Sequence, residues 1–466
     1  MRKSNQSSMN ALERRSVGAL SSIFALRMMG LFLILPVFST YAYGLEGAMD
    51  DPRLVGIALG AYGLTQALFQ IPFGMMSDKF GRKPVIALGM LIFAIGSVIA
   101  AMSDSIEGVL LGRIIQGSGA VAAAIIALTA DLTREEHRTK AMASIGITIG
   151  LSFAVSMAVA PILDAWVGVS GIFYLMAVFS LISILVLYLV VPDPVLSSHH
   201  SDSELTPGML KHVLKHDALL RLDIGVLLLH MALMALFVVL PLVLANPAHE
   251  LLAQAEQWKL YLPVMLVAFV LMIPLIIIAE AKRMMKQVFL LSIALLMAAS
   301  LLFATMHDSL WWVGAGLLLF FIGFNTLEAS LPSMVSKYAP VGAKGTAIGV
   351  FNTSQFFGAF LGGMLGGFLY DPVVENFAEV FWVVFVLLGV WWLIALFMAH
   401  PPYLATLTLK AKVNNQDEVE HLTQRLLAFN GVEEVLIIQE EQAAYCKIDK
   451  KVVDESALVA AARLVR

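Results

Sequence analysis

Cysteine is almost absent. Cys446 stands alone among 466 residues, so neither an intrachain disulfide nor a thiolate cluster for a soft metal can form. Charge is scarce as well: Asp, Glu, Lys and Arg make up 14% of the chain, against about 25% in ordinary soluble domains. No G-x-x-x-x-G-K-[ST] occurs, which removes the phosphate-cradling loop of an ATP-hydrolysing domain. No nucleophile–base pair or metal-ligand spacing suggests an enzyme, and no cofactor or metal is expected. The opening stretch to Gly18 is polar, and the apolar run after it is too long for the core of a removable secretory signal. Apolar residues are what the chain has in plenty. They account for 59% of it, and the mean hydropathy is +0.84, the composition of a polytopic membrane protein.

At about 20 apolar residues per crossing, twelve spans are expected. They run over residues 17–43, 54–77, 84–102, 106–130, 140–163, 168–191, 219–245, 258–280, 286–305, 309–336, 344–370 and 377–399. Basic residues fix the orientation, because Lys and Arg gather on the cytoplasmic side. With a cytoplasmic amino terminus, 18 Lys and Arg fall on inner segments and 2, Arg53 and Lys259, on outer ones. Both termini are therefore expected in the cytoplasm. The longest inner loop, 192–218, divides two six-helix halves, 1–191 and 219–400. Traces of a repeat support the division. Arg138-Thr-Lys140-Ala entering span 5 is echoed by Lys344-Gly-Thr-Ala entering span 11, and the loop before span 3 by Glu280-Ala-Lys282-Arg283.

Residues 403–466 read differently. Alternating Leu407, Leu409 and Ala411 suggest a strand, and Val419, Leu422, Leu426 and Phe429 a helix. Two further strand-like runs and a last helix complete a β-α-β-β-α order, which suits a small cytoplasmic ferredoxin-like α+β domain.

A loop of about seven residues, with one acid, three bases and two glycines, joins spans 2 and 3. It supplies Gly74, Asp78, Lys79, Gly81, Arg82 and Lys83 in the pattern G-x-x-x-D-[RK]-x-G-[RK]-[RK]. In span 4, Gly112-Arg113-Ile-Ile-Gln116-Gly117-Ser-Gly119 forms a second pattern. Through both, residues 17–399 resemble the major facilitator superfamily, and the added tail is similar to that of a proton-coupled, drug-exporter-like branch. The resemblance implies alternating access by two rocking halves. It implies that Asp78 pairs with Arg82 and Asp131 and faces the start of span 11 near Gly345 and Thr346, as a latch closed in the outward-open state. A carboxylate there is favoured by the helix dipole, by about 0.3–1 kcal/mol. The plainer reading is that these charges anchor a loop and set topology.

Ionisable side chains inside a bilayer are costly and are candidates for function. Arg27, Arg113, His230 and Glu328 lie within spans. Gln66 with Gln70, Arg113 with Gln116, and Asn325 with Glu328 fall on shared helix faces. These residues are expected to line a polar cavity. Glu328 is the one carboxylate placed well inside the apolar layer, where burial disfavours the charged form; it is the expected proton carrier, the alternative being a permanently paired acid. Arg27, where exporters of this family often have an acid, reads as an anion contact or as counter-charge to Glu328. His230 titrates in a useful range but equally fits a packed, hydrogen-bonded role.

Span 5 has Met157-Ala-Val-Ala160-Pro161 in place of the glycine-rich antiporter pattern, so antiport rests on the overall resemblance. The tail resembles heavy-metal-associated domains but has Lys412 to Gln416 where paired cysteines would stand. Glutamates offset its bases and no aromatic platform appears, against nucleic-acid binding. Regulation or self-association suits it better. The expected partners are protons, a small molecule and the bilayer. Proton-coupled efflux leads, with a nutrient symporter or facilitator, or a transporter-like sensor, as alternatives.

Overall fold

The computed structural model describes residues 9–193, 207–246, 251–340, 343–401, 403–411, 413, 415–439, 442–449 and 451–463. The first half comprises α1 (Ala11–Phe32), α2 (Phe38–Ala42), α3 (Arg53–Phe80), α4 (Arg82–Ala101), α5 (Ile106–Ser118), α6 (Ala122–Asp131) and α7 (Glu135–Leu189). After α8 (Pro207–Leu214) come α9 (Asp217–Ala245), α10 (Trp258–Ala281), α11 (Met285–Thr305), α12 (Leu310–Tyr338), α13 (Lys344–Leu369) and α14 (Phe377–Leu396).

Among the described residues, nine helices are long and apolar enough to cross a membrane. One of them, Lys140–Leu189, has 50 residues. At 1.5 Å per residue it would be about 75 Å long, more than twice the hydrocarbon thickness. It bends at Gly168, where φ is 70° and helical geometry is lost, and so crosses twice. Two more crossings are less apolar. α1 carries charge at its start, with a capping box between Asn10 and Glu13, and α13 is diluted by glycine and polar residues. Span 4 departs from expectation: it is broken between α5 and α6. A Cβ on Gly119 would lie 2.2 Å from the Gly89 carbonyl oxygen, so α4 presses on the break and the backbone leaves the helical path. Of the expected linker, 194–206 lies outside the described residues, and α8 packs on α9 and α13.

Contacts between the halves concentrate at the end away from the termini. There Gly56, Gly60 and Gly63 of α3 meet Gly363, Phe360 and Phe356 of α13 backbone to backbone, and a Cβ on Gly56 would stand 2.2 Å from the Gly363 oxygen. The glycines of α13 form two stripes for two partners: Gly363 and Gly367 face α3, while Gly358 and Gly362 face α9. The Ser39 hydroxyl donates to the Phe237 carbonyl at 3.1 Å, and the Gln254 amide to Asp164 at 2.5 Å. This end is closed.

The tail has β1 (Ala405–Lys410), α15 (Gln416–Leu427), β2 (Val432–Ile438), β3 (Ala443–Ile448) and α16 (Glu455–Arg463). Its antiparallel sheet has the order β1-β3-β2. Leu409, Leu422, Leu426, Ala444, Cys446, Ile448 and Leu458 form its core. Burial pushes the Cys446 thiol up to about 11, so it is inert at neutral pH. Lys412 and Asn414, in the segment compared with a metal-binding motif, lie outside the described residues.

Candidate functional site

The stretch from Gly74 to Pro84 is less of a loop than its composition suggests. α3 runs on to Phe80 and α4 begins at Arg82, so the turn is Gly81 alone, at φ 92°, a backbone conformation glycine takes without steric cost. The tight turn drives Arg82 inward. Its guanidinium donates to the Ser77 hydroxyl at 2.9 Å, to Asp131 at the end of α6 at 3.2 Å, and to Asp78. Lys83 reaches the Val191 carbonyl and Asp193, both at 2.7 Å. Lys79 points away, over the Phe80 ring at 5.4 Å, and the Gly74 carbonyl accepts from Ser77 at 2.8 Å. Asp78 and Asp131 thus converge on one base within the first half.

The matching turn of the second half is not merely a decayed copy. Glu280, in the place of Asp78, accepts from Lys337 at 2.8 Å; Lys337 ends α12 as Asp131 ends α6, so a base stands where the first half has its second acid. Three residues after Glu280, as Gly81 follows Asp78, Arg283 takes φ 55°, a left-handed conformation that strains a residue with a side chain. The tail holds it there. Arg283 donates to both Asp449 oxygens, at 2.7 and 2.9 Å. The Tyr403 ring lies 5.2 Å from Arg283 and 5.3 Å from Lys337, and its hydroxyl accepts the Met285 N–H at 3.1 Å. The Lys451 backbone N–H and this guanidinium hold the Asp449 carboxyl below its usual range.

A third tie at this end has no signature in the sequence. Glu13, ahead of the first apolar stretch, takes both Nε and Nη2 of Arg134, at 2.8 and 3.0 Å, across 121 residues. These bonds bring its carboxyl from 4.5 down to about 2. The folded state therefore favours the ionised acid, a contribution present above about pH 4.5 and lost as pH falls toward 2. Arg134 is 44% exposed, so screening leaves about 1 kcal/mol. Glu13→Gln should lower the thermal midpoint at pH 7 and converge on the parent at low pH; equal midpoints at pH 7 would dismiss the tie.

Inside the bundle the expected polar residues divide into two groups. In the first half, Arg27 Nη2 donates to Tyr62 Oη at 3.0 Å, to Gln66 at 2.8 Å and to the Gly119 carbonyl, exposed by the break in span 4, at 3.5 Å. Gln66 in turn donates to Gln70 at 3.0 Å. Arg113 departs from the cavity expectation. It is wholly buried, bonded to the carbonyls of Ala58 and Leu59 at 3.4 and 3.1 Å and to Gln116 at 3.0 Å. Its guanidinium sits 5.1 Å from the Tyr62 ring centre, and Gln116 continues to Ser97 at 2.7 Å. Every contact is structural, and Arg113 cross-ties α3 to α5.

In the second half, Gln355 of α13 joins His230 and Glu328. Its amide lies 2.8 Å from His230 Nε2 and donates to Glu328 at 3.2 Å. His230 Nε2 is 3.5 Å from the other Glu328 oxygen, and its Nδ1 is 3.2 Å from the Val226 carbonyl. Two expectations change. The Glu328 side chain is 35% exposed, not deeply buried, and its partners are His230 and Gln355, whereas Arg27 is engaged within its own half. Sequence reading also missed Gln355 and Asp223, polar residues inside apolar helices whose position alone could have flagged them. Among the described residues, the buried donors without an acceptor include Arg27 Nε and Nη1, Gln70 Nε2 and Asn325 Nδ2.

With this geometry, three comparisons agree. Residues 20–363 and 286–432 match the Major Facilitator Superfamily, and 410–462 the YajR YAM domain. The chain is 44% identical over 448 residues to the Inner membrane transport protein YajR of Escherichia coli (strain K12), covering 96% of this chain and 97% of that one. It is 33% identical over 150 residues to an Escherichia coli Tetracycline resistance protein, class B, covering 31% and 36% of the two chains. Its fold superposes with a TM-score of 0.65, at 15% identity, on an inward-facing, occupied bacterial homolog of the human lysosomal transporter Spinster, covering 83% of this chain and 96% of that one. The chain is a multi-pass membrane protein that belongs to the major facilitator superfamily of transporters and bears a YajR YAM domain behind its last span.

Proposed function

We propose that the protein is a proton-coupled exporter of a small organic molecule in a bacterial inner membrane, with both termini and the tail in the cytoplasm. The observation that carries this reading is the His230–Gln355–Glu328 cluster. With Glu328 ionised and His230 neutral, the Gln355 amide donates to both. When a proton arrives, His230 Nε2 can donate to Glu328 directly, and the amide must turn away. The Glu328 side chain, 35% exposed, is open enough to exchange that proton with solvent. Proton binding thus re-sorts contacts between α9, α12 and α13, which is how a proton biases one arrangement over another.

The cargo reading follows from the unsatisfied donors. Buried N–H groups without acceptors are costly, and those of Arg27, Gln70 and Asn325 favour a cargo bearing carbonyl or carboxylate oxygens. The tetracycline resistance for which one relative is named is an outcome that export of a toxic compound would produce. Arg27 favours a second reading, a symporter or facilitator for an organic anion. Asp78, Arg82 and Asp131 carry two acids to one base, leaving net negative charge to meet the start of α13 in the outward-open state. Gly74 and Gly81 let the helices turn there, while Lys79 and Lys83 hold the neighbouring surface and linker. The tail regulates rocking or joins two copies.

Flux of tetracycline, as a probe cargo, in proteoliposomes with an imposed pH gradient tests the reading. Efflux against proton entry is expected. Movement of probe with protons supports symport, and flux indifferent to the gradient rejects coupling.

A further inference from the structure

His216, Asp223 and His230 follow one another at seven-residue intervals along α9. Seven residues are about 20° short of two full turns and rise about 10.5 Å, so the three share one face. The line runs from the end of the bundle that carries the termini to the His230–Glu328 pair. Two of its members are incompletely bonded. His216, the N-cap of α9, buries Nδ1 without a hydrogen-bond partner, and Asp223 buries Oδ1 in the same condition. Asp223 is 6% exposed. The elements packed on α9 bear Lys211 and His212 on α8, Arg53, Asp78 and Lys79 on α3, Glu256 in the short turn Gln254–Glu256, Glu328 and Lys337 on α12, Lys344 on α13 and Glu379 on α14, and α9 itself bears Asp217 and Arg221. Among the described residues, none of these is bonded or ion-paired with Asp223. An ionised carboxylate so placed costs far more than a protonated one.

We propose that Asp223 is a second proton-binding carboxylate, standing between the compartment at the termini and the His230–Glu328 pair, with His216 at its entrance. In the step it performs, a proton leaves the Glu328 carboxyl by way of the His230 imidazole and is accepted by the Asp223 carboxylate through intervening water. His216 then passes it to solvent. No other bond changes, and the direction reverses with the gradient. The inference rests on the proposed role of His230 and Glu328, and it explains why a carboxylate persists where lipid and packing both oppose one.

Infrared difference spectra of the purified full-length protein in lipid, titrated with pH, test it without any cargo. Two titrating protonated-carboxyl bands are expected; Asp223→Asn should remove one and Glu328→Gln the other. Asp223→Glu, which keeps the acid, should retain a band at a shifted frequency and guards against a variant that fails to fold. After a pH jump at the termini side, Asp223→Asn should slow the appearance of the Glu328 band by about tenfold or more. Bands unchanged in Asp223→Asn, an unshifted band in Asp223→Glu, or an unaltered rate after the jump would overturn the proposal. If Asp223→Asn removes a band and Glu328→Gln removes none, the Asp223 site stands and the role given to Glu328 falls.

Discussion

Glu328→Gln should erase the dependence of flux on the pH gradient while insertion and folding stay normal. A glutamine has nearly the same size and can still accept from Gln355, so the cost in stability is small, within about 0.5 kcal/mol for a side chain one third exposed. What it cannot do is bind and release a proton. Cargo exchange without a gradient should survive, because the Arg27 group in the other half is untouched. Measured side by side, net transport should collapse and counterflow persist. Retained pH dependence would move the proton site away from Glu328.

Gly56→Ala should be nearly as damaging by a different route. Its new Cβ would lie 2.2 Å from the Gly363 carbonyl oxygen, and that neighbour is backbone, which cannot swing aside. Closing the far end would then carry an overpacking cost of about 2–3 kcal/mol. At 1.4 kcal/mol per factor of ten, that moves the balance of states some fiftyfold toward an open far end. Labelling of a Ser39→Cys probe reads it, and the inert Cys446 gives little background. Labelling should rise sharply in the double variant while net flux falls. Unchanged labelling with full transport would mean that the halves tolerate a looser crossing.

Lipid explains which features could be read from the sequence. A crossing must be apolar for its whole length and its flanking bases must sort to one side, so spans and halves are written in composition, whereas the turn reads there as a loop of about seven residues and is Gly81 alone. The tail was legible for the complementary reason: alternation and helical spacing reappear once the bilayer's demand ends. The polar interior was legible as a list of residues but not as pairings. Arg27 and Arg113 look alike in sequence, yet one has two N–H groups without acceptors and the other is fully engaged on carbonyls and an aromatic ring. Glu328 reads as buried because its helix is apolar, but its side chain is about one third exposed, which depends on how the neighbouring helices pack around it. The break of span 4 at Gly119 and the Glu13–Arg134 tie depend on a close approach of chain segments far apart in sequence. No local pattern encodes these.

The two turns at Gly81 and Arg283 answer one inherited backbone demand in two ways. Because the tail grips Arg283 through Asp449, the two turns are not exchangeable. A chain with its halves permuted would present its passenger domain with a glycine that has nothing to grip, and the order of the halves is thereby fixed.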